Sequence, residues 1–198
     1  MSVVIKINVY DFDNTIYKGE STLDFYFYCV RRHPVLLKYV AVIAVNLVKY
    51  KLCIISEEQL MSLCKKYVAG FLHDCPDARR LAVMFWEKNS HKLKAFYNEL
   101  HKEDDVIISA SFGFLLRPVM QRLGVSNLVC SEVNFDNGEI EKLCFRQYKK
   151  DLFLENFNGC GIENFYTDSL NDMPLMMLAK KAYLVKGERI TEYVFEKR

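Results

Sequence analysis

Two carboxylates one residue apart, Asp11 and Asp13, end the apolar run VVIKINV within YDFDNTIY, where Thr15 adds a hydroxyl and no cation is present. A carboxylate at such a point can attack phosphorus and form an acyl phosphate, dividing one difficult hydrolysis into two easier steps. A second carboxylate two residues on can reach the leaving-group oxygen, give it a proton and later take one from water. Hydroxyls at Thr15 and Ser109 and the ammonium of Lys149 would hold phosphoryl oxygens as charge spreads onto them. Further along stand Asp168 and Asp172. Carboxylates converging on one mouth repel each other and take up protons unless a cation compensates. An oxygen-only site with room for water suits Mg2+, so the missing cation is expected to be that metal.

The chain has to bring these residues together. Val3, Ile5, Ile7 and Val9 place one apolar face on a first strand, and Val4 and Tyr10 make the other largely apolar, which predicts a central strand of a parallel sheet. From Glu20 to about Leu100 the period turns helical: Leu23, Tyr26, Phe27 and Val30 share a face, as do Leu60, Leu63, Cys64 and Tyr67. Ser21 and Ser56 stand where N-caps are expected, Ser56 with Gln59 as a capping box, and Pro34 can open a helix. After Asp105, VIIS reads as a strand ending at Ser109, followed by a helix from about Gly113 to Leu123 that Gly124 can end. An Asn-Gly pair, Asn137-Gly138, predicts a hairpin; ENFYT is a strand ending at Asp168, Pro174 opens a helix, and KAYLV is a last strand. The expected fold is α/β, a Rossmann-like parallel-sheet core with an all-helical insertion. In such a sheet the ligand crevice lies beyond the carboxyl ends of the strands, where all of these polar residues fall.

Bulk properties exclude several classes. A net charge of +2, with both signs mixed along the chain, cannot gather nucleic acid, so no nucleic-acid partner is expected. Seven cysteines, an odd number at irregular spacings without C-x-x-C, fit neither a disulfide framework nor a zinc site, and most read as small buried residues. The N-terminus does not read as a signal peptide, and a reducing cytoplasm is the expected location. His33, His73, His91 and His101 lack metal-ligand spacing and read as surface or boundary residues. The most apolar segment, Pro34 to Ile55, is interrupted by Lys38, Asn46, Lys49 and Lys51, so it reads as a buried helix of a small bundle, the alternative being a lipid-facing surface.

DFDNT, the strand-end serine of VIISAS, a lysine of RQYKKDLF and YTDSLND resemble, in order, the four motifs of the haloacid dehalogenase-like phosphatases. The helical insertion after the first motif is similar to the cap of the phosphoserine phosphatase-like branch. The resemblance implies a core of residues 1–16 and 104–198 and a cap of 17–103. It implies Asp11 as nucleophile, Asp13 as general acid and base, and Thr15, Ser109 and Lys149 as phosphate binders. Asp11, Asp168 and the backbone carbonyl of Asp13 would bind Mg2+, with Asp172 supporting them. Lys149 is preferred to Lys150 because Cys144 and Phe153 then stand at the family's offsets. Glu20 matches an acidic residue that reads the substrate amine in phosphoserine-specific members. Those members carry two glycines after the second-motif serine, whereas Ala110 and Ser111 stand here, and no cap arginine for a substrate carboxylate is evident.

The reading that results is a Mg2+-dependent phosphatase of a small phosphorylated metabolite. A phosphoserine phosphatase proper and a lipid-phosphate phosphatase using the apolar insertion, with membrane association through it, are the alternatives. A phospho-accepting receiver domain is the competitor from another class; it needs neither Asp13 nor a helical insertion.

Overall fold

The computed structural model describes residues 5–195, so Val3 and Val4 of the expected first strand lie outside the described residues. Strand β1 (Lys6–Asp11) is followed by five helices, α1 (Ser21–Val30), α2 (Leu37–Lys51), α3 (Glu57–Asp74), α4 (Ala78–Asn89) and α5 (Ala95–Leu100). Alternation then sets in: β2 (Val106–Phe112), α6 (Gly113–Leu123), β3 (Asn127–Val133), β4 (Ile140–Lys142), α7 (Gln147–Asn156), β5 (Gly161–Thr167), α8 (Met173–Met176), β6 (Ala179–Lys186) and β7 (Arg189–Tyr193).

The seven strands form one sheet in the order β4-β3-β2-β1-β5-β6-β7. Strand β1 pairs in parallel with β2 on one side and β5 on the other, so its end is the middle of the sheet. Its side chains feed two cores, as a strand covered on both faces must. Ile7 and Val9 pack with Val106, Ile108, Phe153 and Phe165, while Tyr10 and Phe12 join Trp86, Tyr97, Ile107 and Leu115. Register lines up Tyr10, Tyr166 and Tyr183 on neighbouring strands, their rings stacked 4.6 and 4.8 Å apart. Inside the sheet Asn8 donates to Asp105 and accepts from Asn164, which satisfies the buried amide.

The sheet is parallel in its interior, as expected, and carries an antiparallel strand at each edge. Strand β4 returns antiparallel to β3 across the Asn137-Gly138 turn, as the hairpin signal implies, with Gly138 at positive φ. Strand β7, unforeseen, returns on β6 through Gly187-Glu188, where Gly187 supplies the positive φ that a two-residue turn requires.

Local signals are met in several places. Ser56 and Gln59 form the reciprocal capping box, Gly124 ends α6 in the left-handed conformation, and Pro174 lies in the first turn of α8. Pro34 opens a 3-10 turn that leads into α2. Two expectations need correction. Ser21 is the first residue of α1 rather than its N-cap, a position held by Glu20. Helix α2 is not buried: it packs on α3, and Val42, Val45 and Val48 face outward, so the outer stripe of the most apolar segment has no cover among the described residues. Leu60 of the expected α3 face has a side chain outside the described set. No helix among the described residues is long and apolar enough to cross a membrane.

Helix α4 holds the insertion to the sheet. Its Trp86 is fully buried, meets Phe12 and Tyr17 edge to face, and donates from Nε1 to the Leu115 carbonyl of α6 at 2.6 Å. Trp86→Ala removes both packing and this bond, and is expected to lower stability by roughly 3–5 kcal/mol in urea unfolding.

Candidate active site at the end of strand β1

Asp11 is the last residue of β1 and is buried. The chain then turns sharply: Ile16 and Tyr17 both donate backbone N–H to Phe12 O, and Asn14 adopts φ 56°, a left-handed value that Asn tolerates. Lys94, itself buried, braces this loop by donating to Asn14 O and to Gly187 O. Burial holds its pKa below the usual lysine value.

Lys149 of α7 reaches in and donates to Asp11 Oδ1 at 2.7 Å and to Asp172 Oδ2 at 2.8 Å. Thr167, at the end of β5, donates to the same Asp172 oxygen at 2.9 Å. Thr15, fully buried, donates to Asp11 Oδ2 at 3.2 Å. Burial, the largest influence, pushes the Asp11 carboxyl up to about 7, with Lys149 pulling the other way and Asp172 reinforcing the rise. Burial also opposes the Lys149 charge, yet Asp11 and Asp172 outweigh it and hold that ammonium above the usual lysine range. Of the two candidate lysines it is Lys149 that enters the carboxylate cluster. Part of the compensating cation first assigned to a metal is this lysine. Asp172 does not cap the following helix through its side chain; its carboxylate is committed to Lys149 and Thr167.

Asp13 turns the other way. Its Oδ1 accepts from the backbone N–H of Ser21 and its Oδ2 from the hydroxyl of Ser111, both at 2.6 Å. The Ser111 hydroxyl also meets those of Ser21 at 3.2 Å and Thr22 at 2.8 Å. Burial raises the Asp13 pKa against the hydrogen bonds from Ser111 and Ser21. Ser111 reaches this place because β2 does not end at Ser109, as expected, but runs on with a shift in register. Ser109 pairs with Cys130 and Phe112 with Ser131, leaving Ala110 and Ser111 as a bulge between them. Ser131 satisfies the freed carbonyl of Ala110, and Ser109, fully buried, accepts the Ser111 N–H.

Asp168 follows β5 and is half-buried; burial raises its pKa first, then Asp172, while Lys149 lowers it and Asp13 raises it further. With Asn14, Gly19, Lys94 and Glu188 it lines a cavity of about 330 Å³. Glu20 accepts from Asn14 and lies in the field of Asp13 and Asp168, its pKa raised by burial before either charge. The structure therefore gathers all the sequence-predicted residues around the end of β1. Ser111, Ser21, Thr22 and Thr167 were not foreseen as site residues. Only Ser111 had a signal, its place in the stretch where Ala110-Ser111 departs from the glycine pattern. The set carries Asp11, Asp13, Asp168 and Asp172, with Lys149 between two of them and Lys94 lining the cavity of Asp168, and the remaining excess of negative charge fits a divalent, oxygen-preferring cation.

Residues 9–177 match the family model for haloacid dehalogenase-like hydrolases, most of the chain. The chain belongs to the haloacid dehalogenase-like hydrolase family. Solved structures share the fold of this hydrolase. A protein of unknown function from Bordetella pertussis Tohama I aligns at 18% identity over 91% of this chain and 89% of its own, with a TM-score of 0.65. A phosphoserine phosphohydrolase-like protein from Francisella tularensis subsp. tularensis SCHU S4 aligns at 18% identity over 90% and 86%, with a TM-score of 0.57. A phospho-aspartyl intermediate analogue of phosphoserine phosphatase aligns at 16% over 90% and 85%, with a TM-score of 0.53. A comparison with curated proteins finds no match.

Replacing Lys149 by Met leaves Asp11 and Asp172 buried without their shared cation. In the presence of a chelator this hydrolase variant is expected to lose roughly 3–5 kcal/mol, measured by urea unfolding at neutral pH.

Proposed function

We propose that the chain is a Mg2+-dependent phosphomonoesterase that works through an aspartyl-phosphate on Asp11. The observation that carries this reading is the buried row of Asp11, Lys149 and Asp172 at the end of the central strand, with Asp13 beside it turned toward the Ser111 hydroxyl of β2 and the Ser21 N–H of the insertion. The solved phosphoserine phosphatase with a phospho-aspartyl analogue supports it by likeness of fold.

Asp11 would attack phosphorus, forming a bond from a carboxylate oxygen while the bond to the ester oxygen breaks. Asp13 would give its proton to the departing oxygen, then take a proton from the water that attacks the aspartyl-phosphate, releasing phosphate and restoring Asp11. A hydroxyl can donate or accept, so Ser111 can serve Asp13 in both protonation states. Lys149, Ser109 and Thr15 would steady the phosphoryl oxygens; Thr15 and Lys149 are held by Asp11 before substrate arrives. Asp11, Asp168 and the Asp13 carbonyl would hold Mg2+, with Asp172 behind them, and the ion would supply charge compensation for the phosphoryl group. Residues 17–103 would act as the cap that excludes bulk water, and Glu20 would face the substrate from the start of α1.

A specific feature favours a substrate with an apolar portion over a wholly polar one such as phosphoserine. Between α1, α2, α3 and the start of α6 lies a cavity of about 400 Å³ lined by Leu23, Phe27, Ile43, Tyr67, Phe71 and Phe112, almost without polar surface. Thr22 lines it too and touches Ser111, which touches Asp13, so the cavity adjoins the proton-transferring carboxylate. The uncovered stripe of α2 beside it suits an ester presented from a lipid surface.

Phosphate release from monoesters should require Mg2+ and vanish in Asp11→Asn and on chelation; a folded protein inactive on every ester class would refute the hydrolase reading. Across linear alkyl phosphates, kcat/KM should climb by roughly threefold to fourfold for each methylene buried. A flat series, or a preference for phosphoserine, would sink the apolar-substrate reading and leave the phosphatase intact.

A further inference from the structure

Three side chains of metal-ligating type, His33, Cys75 and Asp77, meet outside the carboxylate site, with Cys29 next to Cys75. Cys29 lies in the last turn of α1, His33 follows that helix, Cys75 stands at the end of α3, and Asp77 precedes α4. His33 Nε2 is 2.7 Å from Asp77 Oδ1, and Cys75 Sγ is 3.9 Å from the same oxygen. One ligand atom from each of these three residues lies within 4.8 Å of the other two. The thiol of Cys29 neighbours that of Cys75, beside the three mutually close ligand atoms. Both cysteines are free and fully buried, whereas the His33 and Asp77 side chains are 28% and 29% exposed, which leaves a way in from solvent.

We propose that His33, Cys75 and Asp77, completed by Cys29 from beside Cys75, form a structural site for a tetrahedral, thiolate-preferring divalent cation of the zinc type. Two sulfurs, one imidazole nitrogen and one carboxylate oxygen are a four-ligand set that such an ion accepts and that Mg2+ does not. Arg80 Nη2 holds Asp77 Oδ2 at 2.8 Å and leaves Oδ1 turned inward, the kind of outer partner that orients a metal-binding carboxylate. On binding, both thiols lose protons, and Nε2 of His33 gives up its share in the hydrogen bond to Asp77 and offers its lone pair. The ion would tie the C-terminal end of α1 to the link between α3 and α4. The N-terminal end of the same helix carries Ser21 and Thr22, so this site would set the stiffness of the element that holds Asp13.

The test is a Co2+ titration of the reduced, metal-free, full-length protein with Mg2+ in excess to occupy the oxygen-only site. One equivalent should produce a thiolate-to-cobalt charge-transfer band with visible bands of tetrahedral cobalt, and Zn2+ should displace both. Cys29→Ser should retain about half of the charge-transfer intensity, since one of two sulfurs remains. His33→Ala, at a half-exposed position that folding tolerates, should weaken binding and alter the visible bands. Arg80→Ala should weaken it about tenfold or more, and Cys53→Ser should change nothing. Three results would each overturn the site: a folded, reduced protein without the band, a band unchanged in both Cys29→Ser and His33→Ala, or a Cys29–Cys75 disulfide in a protein whose reduced form takes up no metal.

Discussion

Lys149 carries a full positive charge into the interior, and the arrangement around it can exist only because two carboxylates meet that charge there. Asp11 comes from the central strand, Asp172 from the turn before α8 and Lys149 from α7, so three separate segments are tied at one point. Such a buried cluster gives little net stability, because desolvation consumes most of the Coulombic gain. Its worth lies in position. None of the three can move without leaving another buried and uncompensated, so the carboxylate at the end of β1 stays in one orientation. The ordinary cores on either face of the sheet provide the stability that this arrangement consumes.

Asp13 is governed by a different constraint. Asp11 is gripped by the core, whereas Asp13 is gripped by a backbone N–H from the start of α1 and a hydroxyl from the bulge of β2. The residue proposed to move protons is thus coupled to the helical insertion, and the residue proposed to accept phosphorus is insulated from it. Any shift of α1 would be felt at Asp13 first. The apolar cavity begins on the other side of Thr22, so its filling and the environment of Asp13 share a wall.

Much of the architecture was legible because it rests on local chemistry. The apolar alternation up to Asp11, the left-handed glycine after α6, the Ser56 capping box and the Asn-Gly turn each act within a few residues, and each appears where expected. Elements governed by distant neighbours were misread. Helix α2 was expected inside because of its composition, yet its fate depends on what other helices leave uncovered. Strand β7 has a weak pattern of its own and exists because β6 offers it an open edge. Ser21 resembled an N-cap in spacing, but Ser111 claimed its hydroxyl and Asp13 its backbone N–H.

By itself the sequence determined which residue types stand toward the ends of the central strands, and hence that carboxylates and a serine would face one crevice, because strand periodicity and the direction of a parallel sheet follow from chain geometry alone. Only the tertiary structure decided which lysine enters, that Ser111 reaches Asp13, and that His33, Cys75 and Asp77 converge with Cys29 beside them. The reason is physical. Ion pairs and ligand sets depend on distances between residues far apart in the chain, and no periodicity within a segment encodes those distances.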